Sequence, residues 1–227
     1  MPFSPRLPEF PSGDPGPEGL SICSDEQISR ARRVTRARRP GDWERDLERA
    51  RAGEGWLAGV LRADPRITDF EDHTARYDRL DFSFTFGGRT VYVDLKEKRS
   101  RYSSGIAGVW PEIAAEDLFI VDETVFRRIV WQGGGGYLVV HDHPARRWAI
   151  FGPWELTLGP RVRYQRRGQR TSEFLKGKVL LNLAASAALG PEFSVDLLLD
   201  VVTRSARQRD QVEAVPVPTE IVPEVGF

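Results

Sequence analysis

Apolar residues along the chain fall first into a helical stripe and then into two alternating runs. From Trp43 the apolar positions Trp43, Leu47, Ala50, Leu57 and Leu61 follow the spacing of a core-facing helix, which Asp64-Pro65 ends. Asp42 is placed to cap that helix, with Arg45 rather than Glu three positions on, so the capping box is incomplete. Residues 80–86 (LDFSFTF) and 89–96 (RTVYVDLK) each alternate, and Gly87-Gly88 between them reads as a two-residue hairpin turn. Further on, Leu118 to Val121 reads as a short strand. Asp122 opens a helix to about Trp131, with Glu123 in the first turn where the helix dipole favours it. Gly133–Gly136 read as a flexible joint, and Tyr137–His141 and Trp148–Phe151 as strands joined by a turn around Pro144. Residues 179–189 and 193–207 are apolar or helical in pattern.

The ends carry less pattern. Residues 1–22 hold six of the 16 prolines and no period, which predicts a disordered or loosely draped arm. Residues 25–39 read as a short basic helix ended by Pro40-Gly41, and residues 211–227 as an acidic, proline-containing tail. The expected organisation is an arm (1–22), one α/β domain (23–210) and a tail (211–227).

Composition narrows the function classes. The chain of 227 residues can bury a core without disulfide or metal staples. No apolar run approaches the roughly 18 residues of a membrane span, and the first residues lack the apolar stretch of a secretory signal. The single cysteine, Cys23, excludes an intramolecular disulfide framework and fits a reducing cytoplasm. The formal charge is zero but unevenly placed: residues 29–190 carry a net +8 between acidic ends. That basic body suits a polyanionic partner. Of the 33 basic residues 29 are Arg, so the four Lys positions (Lys96, Lys98, Lys176, Lys178) stand out.

Taken literally, the Gly87-Gly88 turn pairs Phe86 with Arg89, Ser83 with Tyr92 and Asp81 with Asp94. Phe82, Phe84, Phe86, Val91, Val93 and Leu95 then share one face, and Asp81, Ser83, Thr85, Thr90, Tyr92, Asp94 and Lys96 the other. Two carboxylates directly opposite one another repel unless a cation compensates. Mg²⁺ is typically held by one or two carboxylates with waters and a phosphate. Lys96 lies on the same face, within reach of the pair. Glu54 falls on the helical stripe among apolar neighbours, where an unpaired carboxylate is costly; Gly53 and Gly55 beside it allow close backbone approach.

A helix Glu (Glu54), an Asp at a strand start (Asp81, in Leu80-Asp81-Phe82) and Asp-x-Lys on the next strand (Asp94-Leu95-Lys96) resemble the PD-(D/E)xK nuclease superfamily over roughly residues 43–151. Leu80 stands where that family often has proline, and Asp78 competes with Asp81 for the first aspartate. The resemblance implies a restriction-endonuclease-like core: a central mixed β-sheet, flanked by helices, whose antiparallel hairpin carries the active site. It implies Asp81 and Asp94 as ligands of Mg²⁺ (or Mn²⁺), Glu54 acting through the metal or a water, and Lys96 positioning or activating the attacking water. The implied activity is metal-dependent phosphodiester hydrolysis. A DNA endonuclease of defence, restriction or repair comes first, an RNase stays open, and the alternative is an inactive nucleic-acid-binding or assembly module. A homodimer or a larger complex is compatible with either.

Other residues carry secondary expectations. Residues 161–178 contain five Arg and two Lys against Glu173, so Arg166, Arg167, Arg170 and Lys176, with Arg99 and Arg101 after the motif, are candidate phosphate contacts. His141-Asp142-His143 resembles a His–metal pair but has no third ligand nearby, and it reads as an exposed hairpin loop. His73 reads as a loop histidine, and the six tryptophans as core and edge packing.

Overall fold

The computed structural model describes residues 20–22, 40–76, 78–102, 112–158, 161–167 and 175–213. Their elements in chain order are β1 (Leu20–Ile22), α1 (Pro40–Ala63), β2 (Thr68–Asp72), β3 (Phe82–Phe86), β4 (Arg89–Lys98), β5 (Leu118–Asp122), α2 (Glu123–Val130), β6 (Gly136–Asp142), β7 (Arg147–Phe151), α3 (Pro153–Leu158), β8 (Arg161–Arg167), β9 (Leu175–Asn182), β10 (Ala188–Gly190) and α4 (Val195–Glu213). The expected basic helix at 25–39 and the tail beyond 213 lie outside the described residues. The chain divides into two compact units.

One unit draws on Met1–Ala37, Arg101–Phe126 and Leu158–Ala185. Its sheet has the order β1-β8-β9-β5, antiparallel except where β1 runs parallel to β8. Two expectations change here. Leu20–Ile22, inside the segment without a period, forms β1 because β8 offers it an edge. Residues 179–182 are strand, since β5 pairs with them from Val121↔Val179 to Leu118↔Asn182. Burial of Leu118, Phe119, Val121 and Val179–Leu181 in this ladder overrides the helical propensity of Leu.

The other unit holds the hairpin and draws on Arg38–Ser100, Arg127–Thr157 and Ser186–Phe227. Its six strands run β10-β7-β6-β4-β3-β2. All neighbours are antiparallel except β4 and β6, giving a mixed, mostly antiparallel sheet flanked by helices. Helix α1 starts two residues ahead of Asp42, at Pro40, whose fixed φ suits the first helical position. It runs unbroken through Gly53 and Gly55 and buries Leu57 and Leu61 completely.

The β3–β4 register agrees with the literal reading of the turn, from Phe86↔Arg89 to Phe82↔Val93. Gly87 and Gly88 have φ of 57° and 74°, the left-handed geometry of a two-residue turn that follows the sheet twist. One face of the sheet presents Phe82, Phe84, Val91, Val93 and Leu95, buried with Leu57 and Leu61 of α1 and Leu198 and Val202 of α4. Gly135 and Gly136, which end the glycine run, are tightly packed against backbone, whereas Gly133 is exposed with open space around it. A Cβ on Gly136 would lie 2.2 Å from the Ile129 carbonyl oxygen, which only glycine permits.

Two glycine substitutions should therefore move stability in opposite directions. Gly136→Ala must displace backbone and is expected to destabilise by about 1–3 kcal/mol, the range for overpacking. Gly59→Ala, in a helix with nothing within 4 Å of the new Cβ, should stabilise by about 0.5–1 kcal/mol. Urea denaturation of the two variants checks both signs.

Candidate active site

β3 ends where the motif begins. Its ladder with β4 stops at Phe82↔Val93, and β4 continues to Lys98 with only β6 paired to it. Asp81 takes over from the ladder with its side chain: Oδ2 accepts the Leu95 N–H at 2.8 Å, while its backbone carbonyl accepts the His73 N–H at 2.8 Å. The carboxylate is thus fixed beside β4 at the level of Asp94 and Lys96.

Asp94 is 3% exposed. Its Oδ2 lies 2.5 Å from Lys96 Nζ, yet no well-aligned hydrogen bond reaches that oxygen. The same ammonium lies 3.8 Å from Asp81 Oδ2 and donates to the Leu95 carbonyl at 3.0 Å. So Asp81, Asp94 and Lys96 do converge, as the face assignment requires. Glu54 on α1 is half-buried and feels the charges of Lys96 and Asp94. Glu54, Asp81 and Asp94 do not form a tight trio of oxygens. Among the described residues, the group of three whose ligand atoms lie within 4.8 Å of one another is Glu97, His141 and His143.

Electrostatics follow from this crowding. Burial, then the Asp94 charge, push the Asp81 carboxyl up to about 7, against the pull of Lys96 and the Leu95 N–H. Burial raises Glu54 as well, with Lys96 opposing. Burial alone would lower Lys96, but Asp94, Asp81 and Glu54 outweigh it and hold the ammonium above the ordinary lysine range.

The remaining candidates separate. Asp78 is exposed, and nothing draws it to Asp94. His73 is buried, with Nε2 2.9 Å from Ser83 Oγ and 3.3 Å from Glu71 Oε2. Arg99 pairs with Glu97, and Arg101 is exposed. Arg166 lies across the β8–β9 ladder from Lys176 and Arg167 across from Leu175; Arg170 lies outside the described residues.

Two sequence expectations need correction. His141-Asp142-His143 does have a third partner: parallel pairing sets Glu97 against His141, and Glu97 Oε1 lies 2.9 Å from His143 Nε2. Nothing local in the sequence brings β4 beside β6, so this partner was not visible there. Burial, then the neighbouring His143, lower the His141 pKa. Of the tryptophans whose side chains are described, Trp148 packs against the core edge as expected and Trp154 is partly buried, whereas Trp56 is 45% and Trp131 77% exposed. Trp56, Trp148 and Phe193 form an aromatic group at the surface of the sheet.

The crowded carboxylates carry a stability cost of defined sign. Asp81 is easier to protonate folded than unfolded, so it disfavours the folded state increasingly as pH rises from about 4 through about 7. Asp81→Asn keeps an acceptor for the Leu95 N–H without the charge. The variant should be more stable than the parent at pH 8, with the gap closing near pH 4. Chemical denaturation of both proteins at the two pH values, without divalent cations, measures it. No protein-family model matches the chain, and no curated protein matches it.

Proposed function

We propose that the chain is a metal-dependent phosphodiesterase of the PD-(D/E)xK type, acting as a DNA endonuclease in a defence, restriction or repair setting. The observation that carries this reading is the convergence of Asp94, Asp81 and Lys96: the Lys96 ammonium lies 2.5 Å from Asp94 Oδ2 and 3.8 Å from Asp81 Oδ2. Two converging carboxylates with an ammonium beside them fit a hard cation. Two carboxylates are the protein share that Mg²⁺ typically takes, waters and a phosphate completing its shell.

In this reading Asp81 and Asp94 hold the metal, and Glu54 orients a water or adds an outer carboxylate. The metal, when bound, lowers the pKa of a water and stabilises charge on the phosphoryl oxygens. Lys96 contributes a fixed positive charge. Its carboxylate neighbours keep it an ammonium, so it steadies developing negative charge rather than removing the proton from water. Strands β8 and β9 carry Arg161, Arg163, Arg166 and Arg167 and Lys176 and Lys178, a basic composition that fits phosphate contacts without base specificity.

Incubation of plasmid DNA with the purified chain should give nicking or linearisation with Mg²⁺ and none with EDTA. Asp94→Asn should abolish it. Lys96→Arg keeps the charge but replaces a compact ammonium with a planar guanidinium, and should lose at least on the order of 10²-fold in cleavage with DNA binding retained. A parent-like rate in Lys96→Arg rejects the mechanism. DNA binding by the parent without cleavage under any divalent cation leaves the binding-module alternative.

Neutralising Arg166, Arg167 and Arg170 should flatten the salt dependence of DNA binding, the log–log slope falling by about 0.9 for each phosphate that is no longer neutralised. An unchanged slope in a filter-binding series assigns these residues to solvent.

A further inference from the structure

The strand that carries Asp94 and Lys96 turns its next residue to the opposite side. There Glu97 meets the end of β6. His141 Nδ1 or Nε2, His143 Nε2 or Nδ1 and a Glu97 oxygen come within 4.8 Å of one another. Glu97 Oε1 and His143 Nε2 are 2.9 Å apart, close to the roughly 3–3.5 Å that separates neighbouring ligand atoms around a tetrahedral ion with bonds near 2 Å. We propose that Glu97, His141 and His143 form a zinc-class metal site, separate from the Asp81–Asp94 pair, with one coordination position open to the adjoining cavity.

The donor set decides the class of metal. Two imidazoles and one carboxylate suit Zn²⁺ and its neighbours, whereas Mg²⁺ takes oxygen ligands. Three protein ligands with a fourth position open are the arrangement of reactive rather than structural zinc. The cavity that would supply that position has a volume of about 420 Å³ and is lined by the three ligands together with Arg49, Trp56 and Trp148. Its opening leaves room for a water or an anionic ligand.

The surroundings hold the ligands in place. The His141 ring stacks on Trp148, centroids 3.9 Å apart and planes 9° from parallel, and its other neighbour is the His143 ring at 3.8 Å. Arg99 pairs with the second oxygen of Glu97, leaving Oε1 for the site. Gly53 of α1 completes the fit: a Cβ there would come within 3.0 Å of Glu97 Oε1. Such outer partners orient ligands and typically tune affinity by about 10–100-fold.

The chain has only three histidines, which makes a direct test possible. Zn²⁺ is titrated into the chelator-treated full chain while the histidine ring nitrogens are followed by long-range ¹H–¹⁵N NMR. Two of the three imidazoles should shift to metal-bound values at one equivalent, and His73 should not. Calorimetry should show the same one equivalent in Asp94→Asn, which lacks the other proposed metal ligand. His143→Ala, whose parent side chain is 39% exposed and so least needed for folding, should bind at least on the order of 10²-fold more weakly, with an unchanged far-UV spectrum. No shift of the two imidazoles at saturating Zn²⁺, or unchanged affinity in His143→Ala, overturns the site. Loss of zinc binding in Asp94→Asn also overturns its separateness.

Discussion

Strand β4 is held along both edges, and Asp94, Lys96 and Glu97 take their positions from that. Arg89–Val93 pair antiparallel with β3, and Tyr92–Lys98 pair parallel with β6. Its apolar residues Val91, Val93 and Leu95 all face the core shared with α1 and α4. A slip of one residue would send Asp94 and Lys96 into that core and its apolar residues out of it. The glycine turn and the alternation demand the same register, a consistency that specifies one structure.

At its far end β4 is secured by charge. Lys98 and Asp142 are both buried, with Nζ 3.6 Å from Asp142 Oδ2, and Arg147 Nε donates to the same oxygen at 3.0 Å. These residues face one another across the β4–β6 and β6–β7 ladders. Buried ion pairs add little net stability, because desolvation offsets their attraction, but a mispaired strand would leave a charge buried alone. The cluster therefore penalises any alternative pairing of the segment that positions both Lys96 and Glu97.

The two sides of β4 present different chemistry within four residues. Asp94 and Lys96 turn hard oxygen and a point charge one way, and Glu97 turns a carboxylate toward two imidazoles the other way. Burial, with the charge of Asp94 beside it, raises the pKa of Asp81, and burial raises that of Glu54. That perturbation by burial and a specific charge partner accompanies an open ladder end.

Local information determined the hairpin, its register and the face shared by Asp81, Asp94 and Lys96. A two-residue glycine turn and a period of two leave no other pairing, and both are written in adjacent residues. The α1 stripe was equally legible, because Leu57 and Leu61 repeat at the helical period. The tertiary structure alone decided which strand lies on the other side of β4. Glu97 and His141 are 44 residues apart, and only the parallel β4–β6 ladder makes them neighbours. Leu20–Ile22 likewise became a strand because β8 supplied its hydrogen bonds, and residues 179–182 because β5 did. Adjacent residues encode turns and periods, whereas a partner for an unpaired edge is a property of the assembled sheet.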